Sequence, residues 1–381
     1  MKRSFFVFIL LVYVVTCSDA LPKFATRQGA KCQSCHINPT GKGMRSSFGG
    51  AYGREELPMP TYKDKFDLED FSPMLNDFFT VGMDYRNLFF YEPGNKDASF
   101  FQMQGDLYLD LRLNRKFRIY YDKGLYSGFE IFGLAKVLPL DGYIKVGKFI
   151  PAYGLKLDDH NAFIRGGPFG GGEFASVFPA GYPYGLRFGE RSEDTGLEVG
   201  IAPSIFTFNV GIFNGTPTAG ISGTAGEKTK AFVARGDINV QTDIANFILG
   251  GSFYNSPNFS TPGKTRFYGG FGVVTIAKNL TFLGELDFVT SYNSVSLREV
   301  KGMMTYGELN YVLFQGLDLK LGYETYDPDT KIANGSYSTI TAGFEFFPLT
   351  GVEIRPVYKI NHENPKDIDN DEFQLMFHFY L

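Results

Sequence analysis

The strongest constraint on this chain is a period-two alternation that runs to its last residue. In Asp106-Leu107-Tyr108-Leu109-Asp110-Leu111-Arg112-Leu113 every second residue is leucine, and the residues between are charged or tyrosine. Successive side chains of a strand point to opposite faces, so this segment has one aliphatic face and one polar face. The end of the chain repeats the pattern: Phe373, Leu375, Phe377, Phe379 and Leu381 alternate with Gln374, Met376, His378 and Tyr380. One such strand suits a soluble sandwich as well as a membrane barrel. The series decides between them. Sixteen strands are predicted, at 79–91, 100–113, 116–125, 129–138, 143–150, 195–202, 204–213, 229–240, 244–254, 265–276, 279–290, 301–314, 316–326, 336–347, 351–361 and 372–381. The connections after even-numbered strands are short, such as Asn114-Arg115 or Pro203. Those after odd-numbered strands are longer, with the connection after the third strand the weak member. Short turns alternating with longer loops through an even strand count is the pattern of a transmembrane barrel. The predicted fold is all-β: an antiparallel transmembrane β-barrel of about sixteen strands behind a short N-terminal segment.

Three segments divide the chain. Residues 1–20 read as a signal peptide: Lys2 and Arg3, an apolar run from Phe5 to Val15, and small residues at Ser18 and Ala20 before the cleavage point. The run is too short to span a bilayer, which takes about 20 apolar residues. A lipid on Cys17 is the alternative, and Thr16 before it fits poorly. Residues 21–75 lack sustained alternation and carry Cys32, Cys35, several glycines, Pro58, Pro60 and Pro73. Residues 76–381 form the barrel. Removal of Lys2, Arg3 and Asp19 leaves 35 basic against 40 acidic residues, a formal net charge of −5. That argues against nucleic acid, which calls for a basic face. At 44% hydrophobic and 17% aromatic the chain is not of disordered composition. Tryptophan is absent, so Tyr and Phe would have to form the interfacial girdles.

The most specific local motif is Cys32-Gln33-Ser34-Cys35-His36. In a Cys-x-x-Cys-His motif the two thiols add to the haem vinyl groups and the adjacent His becomes the proximal iron ligand. Haem c is attached outside the cytoplasm, where the signal peptide would deliver the chain. One covalent haem c on Cys32 and Cys35, with His36 on the iron, is therefore expected. A thioredoxin-like pair would need a βαβ context, and structural zinc would need about two further ligands nearby. Neither is present in the sequence. A simple disulfide would make no use of His36. For the second axial ligand the candidates are Met59, in Leu57-Pro58-Met59-Pro60, Met44, in Gly41-Lys42-Gly43-Met44-Arg45, and His160 or His378; water or an open position is the remaining alternative. The glycines at 41, 43, 49, 50 and 53 match no phosphate-binding pattern. They suit tight packing against a porphyrin or a barrel wall.

The segment Phe24-Ala25-Thr26-Arg27-Gln28-Gly29, the Cys32–His36 motif, Gly43-Met44-Arg45-Ser46-Ser47-Phe48 and Tyr52-Gly53 resemble the start of the fused monohaem cytochrome–porins, whose best-known members are bacterial iron(II) oxidases. About 35 residues carry that resemblance. The sequence departs from it at Asn38-Pro39-Thr40-Gly41 and by an insertion in Gly43-Met44-Arg45. The barrel is also similar to phosphate-selective-type porins around Val146-Gly147-Lys148-Phe149-Ile150-Pro151 and Phe213-Asn214-Gly215. The predicted lumen residues are of both signs: Asp106, Asp110, Arg112, Lys145, Glu285, Asp287, Glu308 and Asp318. This mixture does not suit an anion-selective pore.

The resemblance implies an outer-membrane protein that moves electrons between an extracellular donor or acceptor, Fe²⁺ among the candidates, and a periplasmic c-type cytochrome. One haem cannot by itself bridge a hydrocarbon core of about 25–30 Å, so a reductant or a partner must enter the lumen. Two alternatives stand beside this reading. One is a porin for small solutes in which the cytochrome is a plug or docking module; the other is a secreted cytochrome. The connection at 151–194 is long enough to be functional. It either folds into the lumen or covers the mouth, and Asp158, Asp159 and Glu173 on it either attract Fe²⁺ or are solvated charges.

Overall fold

A computed structural model describes residues 21–63, 73–125, 128–167, 178, 181–182, 185–186, 188–189, 192–215, 230–257, 264–293 and 295–381. The expected signal peptide at 1–20 and Glu173 lie outside these residues. The sixteen expected strands are all present: β1 (Phe79–Glu92), β2 (Asp97–Arg112), β3 (Phe117–Gly124), β4 (Phe129–Leu138), β5 (Gly142–Phe149), β6 (Asp194–Ile201), β7 (Phe206–Phe213), β8 (Ala231–Gln241), β9 (Ala245–Pro257), β10 (Lys264–Ile276), β11 (Leu280–Asn293), β12 (Arg298–Phe314), β13 (Leu317–Asp327), β14 (Tyr337–Leu349), β15 (Val352–Glu363) and β16 (Glu372–Tyr380). Each pairs antiparallel with its sequence neighbours. β1 pairs with β16 from Asp84↔Tyr380 to Tyr91↔Phe373, which closes the barrel. Closure leaves no unpaired sheet edge, the condition for spanning a membrane with strands.

The alternation sets which side chain goes where. Leu107, Leu111, Ile131, Val146, Leu197, Phe208, Leu249, Phe282 and Phe379 lie exposed on the outer wall. The intervening Asp106, Asp110, Lys145, Glu285, Asp287, Glu308 and Asp318 are buried inside. A continuous apolar exterior over a charged interior is the arrangement of a membrane-spanning barrel. The even-numbered strands end in short turns. At one of them Leu140 and Asp141 both have positive φ and Gly142 N–H bonds to the Pro139 carbonyl, at 3.1 Å. Two left-handed central residues match the right-handed twist of the strands they join.

The structure differs from the sequence reading in two respects. The connections after β1 and β11 are as short as the turns at the other end, because β2 begins at Asp97 and β12 at Arg298, three residues earlier than expected. Cross-strand pairing continues past the apolar band, so strand ends absorb residues assigned to loops. The second difference concerns the lumen. Its charges do not face an open watery channel, because two segments fill the barrel around them.

The first segment is the N-terminal plug: α1 (Pro22–Gln28), α2 (Cys32–Cys35), α3 (Ser47–Glu55) and α4 (Pro60–Lys63). It lies at the short-turn end and bonds to strands around the circumference. Lys23 pairs with Glu345 of β14, at 2.6 Å to one oxygen, and Arg27 with Asp318 of β13 at 2.8 Å. Asn239 of β8 donates to the Ala30 carbonyl at 2.5 Å, and Lys145 of β5 donates to Asn38 at 3.1 Å. Phe24 and Tyr52 pack on Phe347 of β14. The second segment is the beginning of the long connection after β5, which folds inward. Tyr153 donates to Asp287 at 2.7 Å, Leu155 N–H to Glu285 at 2.6 Å and Phe163 N–H to Glu324 at 2.8 Å.

Leu107 faces lipid from the middle of β2. Leu107→Arg is expected to lower folding stability in lipid vesicles by about 2–4 kcal/mol, measured by denaturant titration. A change below the error of that titration would mean that the outer face does not meet hydrocarbon.

Candidate cofactor site in the lumen

The Cys-x-x-Cys-His motif lies where plug and inward loop meet. Cys32 and Cys35 stand at the two ends of the single turn α2, and no disulfide joins them. Cys35 is 1% exposed and Cys32 is half-buried. Ser46 ties the next helix to this turn. Its N–H bonds to the Cys35 carbonyl at 2.5 Å, its hydroxyl donates to the Ser34 carbonyl, and its Oγ accepts Gly49 N–H at 3.2 Å as the N-cap of α3. Gly49 has to be glycine because a Cβ there would fall on the backbone of Cys35.

His36 begins a hairpin. It pairs with Arg45 in an antiparallel bridge, and Ile37 N–H bonds to the Met44 carbonyl at 3.1 Å. The hairpin tip runs through Gly41, Lys42 and Gly43, all with positive φ. It presses against the wall: Met44 N–H donates to the Tyr120 hydroxyl at 3.1 Å, and a Cβ on Gly43 would collide with that hydroxyl. The glycines after the motif thus serve packing against the barrel and against α2.

The hairpin also orients the histidine. His36 Nδ1 lies 3.3 Å from the Gly43 carbonyl, the arrangement in which Nδ1–H donates and Nε2 is left as the metal-binding atom. Burial, reinforced by Arg45, pushes the His36 pKa down to about 4. The ring is therefore neutral at neutral pH, the state that binds a metal.

Cys32 and His36 line a cavity with about 960 Å³ of space between protein atoms, part of it open to solvent. The plug contributes Pro22, Phe24, Gly41 and Tyr52 to its wall, the inward loop Lys156, Leu157, Asp158, His160 and Arg165, and the barrel Asp84, Arg86, Glu353, His378 and Tyr380. Among the described residues Lys42, Arg45, Arg86, Lys156 and Arg165 face three carboxylates, those of Asp84, Asp158 and Glu353. Arg86 and Arg355 both pair with Asp158, the former at 2.5 Å, so the carboxylates are already matched. The surplus is positive. Burial, then Arg165, pushes the Lys156 pKa down to about 7, as expected for an ammonium crowded by like charge. The Tyr380 hydroxyl is buried and has no hydrogen-bond partner among the described residues. The cavity therefore combines the Cys32 thiol, a neutral oriented imidazole, a cationic surplus and an orphaned hydroxyl, and the second thiol, Cys35, is buried one helical turn from Cys32. This set fits haem c, which needs two thioether links, an axial nitrogen and partners for two propionates.

The other expected site residues lie elsewhere. Met44 is 1% exposed and lines a neighbouring cavity with Arg54 and Arg112. Met59 sits at the short-turn rim, its N–H on the Phe347 carbonyl at 3.0 Å and its side chain against Gly316. His378 lines the cavity, but both its ring nitrogens face carboxylates, Glu353 and Asp84, each at 2.9 Å. His160 lines it from the inward loop. Asp158 and Asp159, considered as attractors for Fe²⁺, are ion-paired within the lumen; Asp159 lies 3.1 Å from Lys359. Sequence reasoning missed Lys156, Arg86 and Tyr120, because nothing local marks a single charged or aromatic residue on a loop or strand as facing a particular cavity.

No family model matches this chain, and no curated protein does. Among solved structures it is similar to OmpT, an outer membrane protein of Vibrio cholerae, at 12% identity and TM-score 0.56, over 82% of this chain and all of that one. It is similar to OprB of Pseudomonas putida at 11% identity and TM-score 0.58, over 89% of this chain and 98% of that one. The outer membrane channel DcaP of Acinetobacter baumannii aligns at 11% identity and TM-score 0.53, over 80% of this chain and 97% of that one. The barrel is porin-like. At these identities the likeness is one of fold.

The packing of α3 on α2 has a measurable consequence. In protein folded without haem, a thiol reagent is expected to modify Cys32 much faster than Cys35, and Gly49→Val should bring Cys35 close to the Cys32 rate. Labelling followed by peptide mass spectrometry reads both. Equal rates in the unmutated protein would contradict this packing.

Proposed function

We infer that this chain is an outer-membrane barrel of porin type that carries one covalent haem c in its lumen and passes electrons rather than solutes. One observation carries the reading: Cys32 and a neutral, oriented His36 line a cavity with surplus positive charge inside the barrel, with Cys35 buried at the other end of the same helical turn. Cys32 and Cys35 would make the thioether links and His36 would bind the iron. Lys156 and the Tyr380 hydroxyl would meet carboxylates there. Haem bound there supplies a one-electron couple. The protein's part is to hold the site and limit its contact with bulk water. The plug does so from the short-turn end, which is the periplasmic side in barrels of this kind, where a c-type cytochrome would dock. The inward loop does so from the other end, toward an extracellular donor or acceptor, Fe²⁺ among the candidates.

A porin for small solutes, with the N-terminal segment as its plug, is the second reading. The fold likenesses favour it, since one of those structures is described as a channel. On that reading plug and loop would have to leave or rearrange for passage.

Two measurements separate the readings. The purified, detergent-folded protein is expected to show the visible α-band of a c-type haem, lost in His36→Ala. In planar bilayers it is expected to conduct little. Replacing both Lys23 and Arg27 by Ala leaves Glu345 and Asp318 without their plug partners, a change that costs about 3–5 kcal/mol for each buried pair, and should raise conductance. A wide-open pore in the unmutated protein, with no haem band, would refute the electron-transfer reading and support the solute porin.

A further inference from the structure

Plug and inward loop contribute different halves of the cavity, and the loop's half includes a histidine. We propose that His160 is the second axial ligand of the haem, so that the iron is held between the plug and the loop after β5. The inference rests on the haem reading above and adds to it the ligand that reading leaves open.

Three observations support it. The first is position. Asp84 and Arg86 are two residues apart on β1 and both point inward. Asp84 lies 3.7 Å from Arg45, the bridge partner of His36, and Arg86 Nη1 bonds to His160 Nε2 at 2.9 Å. Residues two apart on a strand are separated by roughly 6.5–7 Å. These successive inward positions of β1 thus contact the hairpin that bears His36 and the His160 ring, and both imidazoles line one cavity.

The second is the state of the ring. Arg86 can only donate, so His160 Nε2 accepts, and that nitrogen is therefore unprotonated, as metal binding requires. Arg86 would give up that bond at little cost, since its guanidinium also pairs with the Asp158 carboxylate at 2.5 Å.

The third is that the competing side chains are committed elsewhere. His378 has a carboxylate on each ring nitrogen. His362 is 65% exposed and paired with Asp367 at 3.0 Å. Neither Met44 nor Met59 lines this cavity among the described residues. Loop position also follows from the fold: Asp158 and Asp159, just before His160, are fixed by Arg86, Arg355 and Lys359 of the wall.

The test uses the full-length protein, matured with haem and purified in detergent, with heat-modifiable gel mobility confirming that each variant is folded. The ferric unmutated protein is expected to be low-spin by electron paramagnetic resonance and to lack the near-infrared charge-transfer band of methionine–iron ligation. His160→Ala should convert it to a high-spin form that takes up added imidazole and returns to low-spin. His160→Met should introduce the methionine band and raise the reduction potential, because Met/His ligation raises it. Met59→Leu and Met44→Leu should leave the spectrum unchanged. A low-spin spectrum unaltered in folded His160→Ala, or a methionine band in the unmutated protein, would overturn the assignment while leaving haem c in place. Absence of any c-type spectrum would instead overturn the reading on which it rests.

Discussion

Closing sixteen strands into a barrel sends every second side chain into the lumen, and in this chain many of those side chains are charged. Asp287, Glu345 and Lys145 are fully buried there, and Asp318 and Glu308 nearly so. An ionised group taken out of water costs several kcal/mol unless it is paired and hydrogen-bonded. A barrel wall of this composition therefore requires either water or partners inside. The plug and the inward loop supply partners. Lys23 and Arg27 bring positive charge to the acidic wall of β13 and β14, and backbone N–H groups of Leu155 and Phe163 bring donors to Glu285 and Glu324. Buried pairs add little net stability over apolar packing. Mispairing them is expensive, however, and that cost fixes one position for each segment.

The candidate site follows from this anchoring. Plug and loop are joined to different strands, and the space left between them is bounded by the wall. Strand β1 serves both sides: Asp84 bonds His378 and lies near His36, while Arg86 holds Asp158 and His160 of the loop. The positive surplus of the cavity arises because Arg86 and Arg355 of the wall neutralise Asp158, while Lys156 and Arg165 of the loop add further positive charge to the lining. The same charges that position the segments thus leave a site suited to an anionic, ring-shaped ligand.

The fold likeness and the motif point in different directions, and physics explains why. Strand number, pairing and outer polarity answer to the bilayer, which imposes them on barrels of any function. A chain 12% identical to OmpT can therefore share its wall while sharing nothing of its interior. Function has to be read from what fills the lumen. Here that is a helical segment with a Cys-x-x-Cys-His turn, stabilised by contacts that glycine alone permits at positions 43 and 49.

The alternation from Phe79 to Leu381 determined the barrel by itself, including its strand count, its two faces and its closure. Period-two patterning reports directly on which face meets hydrocarbon. The motif likewise determined the thiols and the histidine, because their spacing is local. Strand ends shifted by up to three residues, since cross-strand hydrogen bonding continues where the apolar signal stops. Only the tertiary structure decided that the lumen is filled, that the long connection turns inward and that Asp158 and Asp159 are ion-paired. Only it placed His160 opposite the plug and Met44 and Met59 away from the cavity. Those contacts join residues far apart in the chain through charges on different strands, Arg86 and Arg355 lying 72 and 197 positions from Asp158, and no local pattern encodes such a pairing.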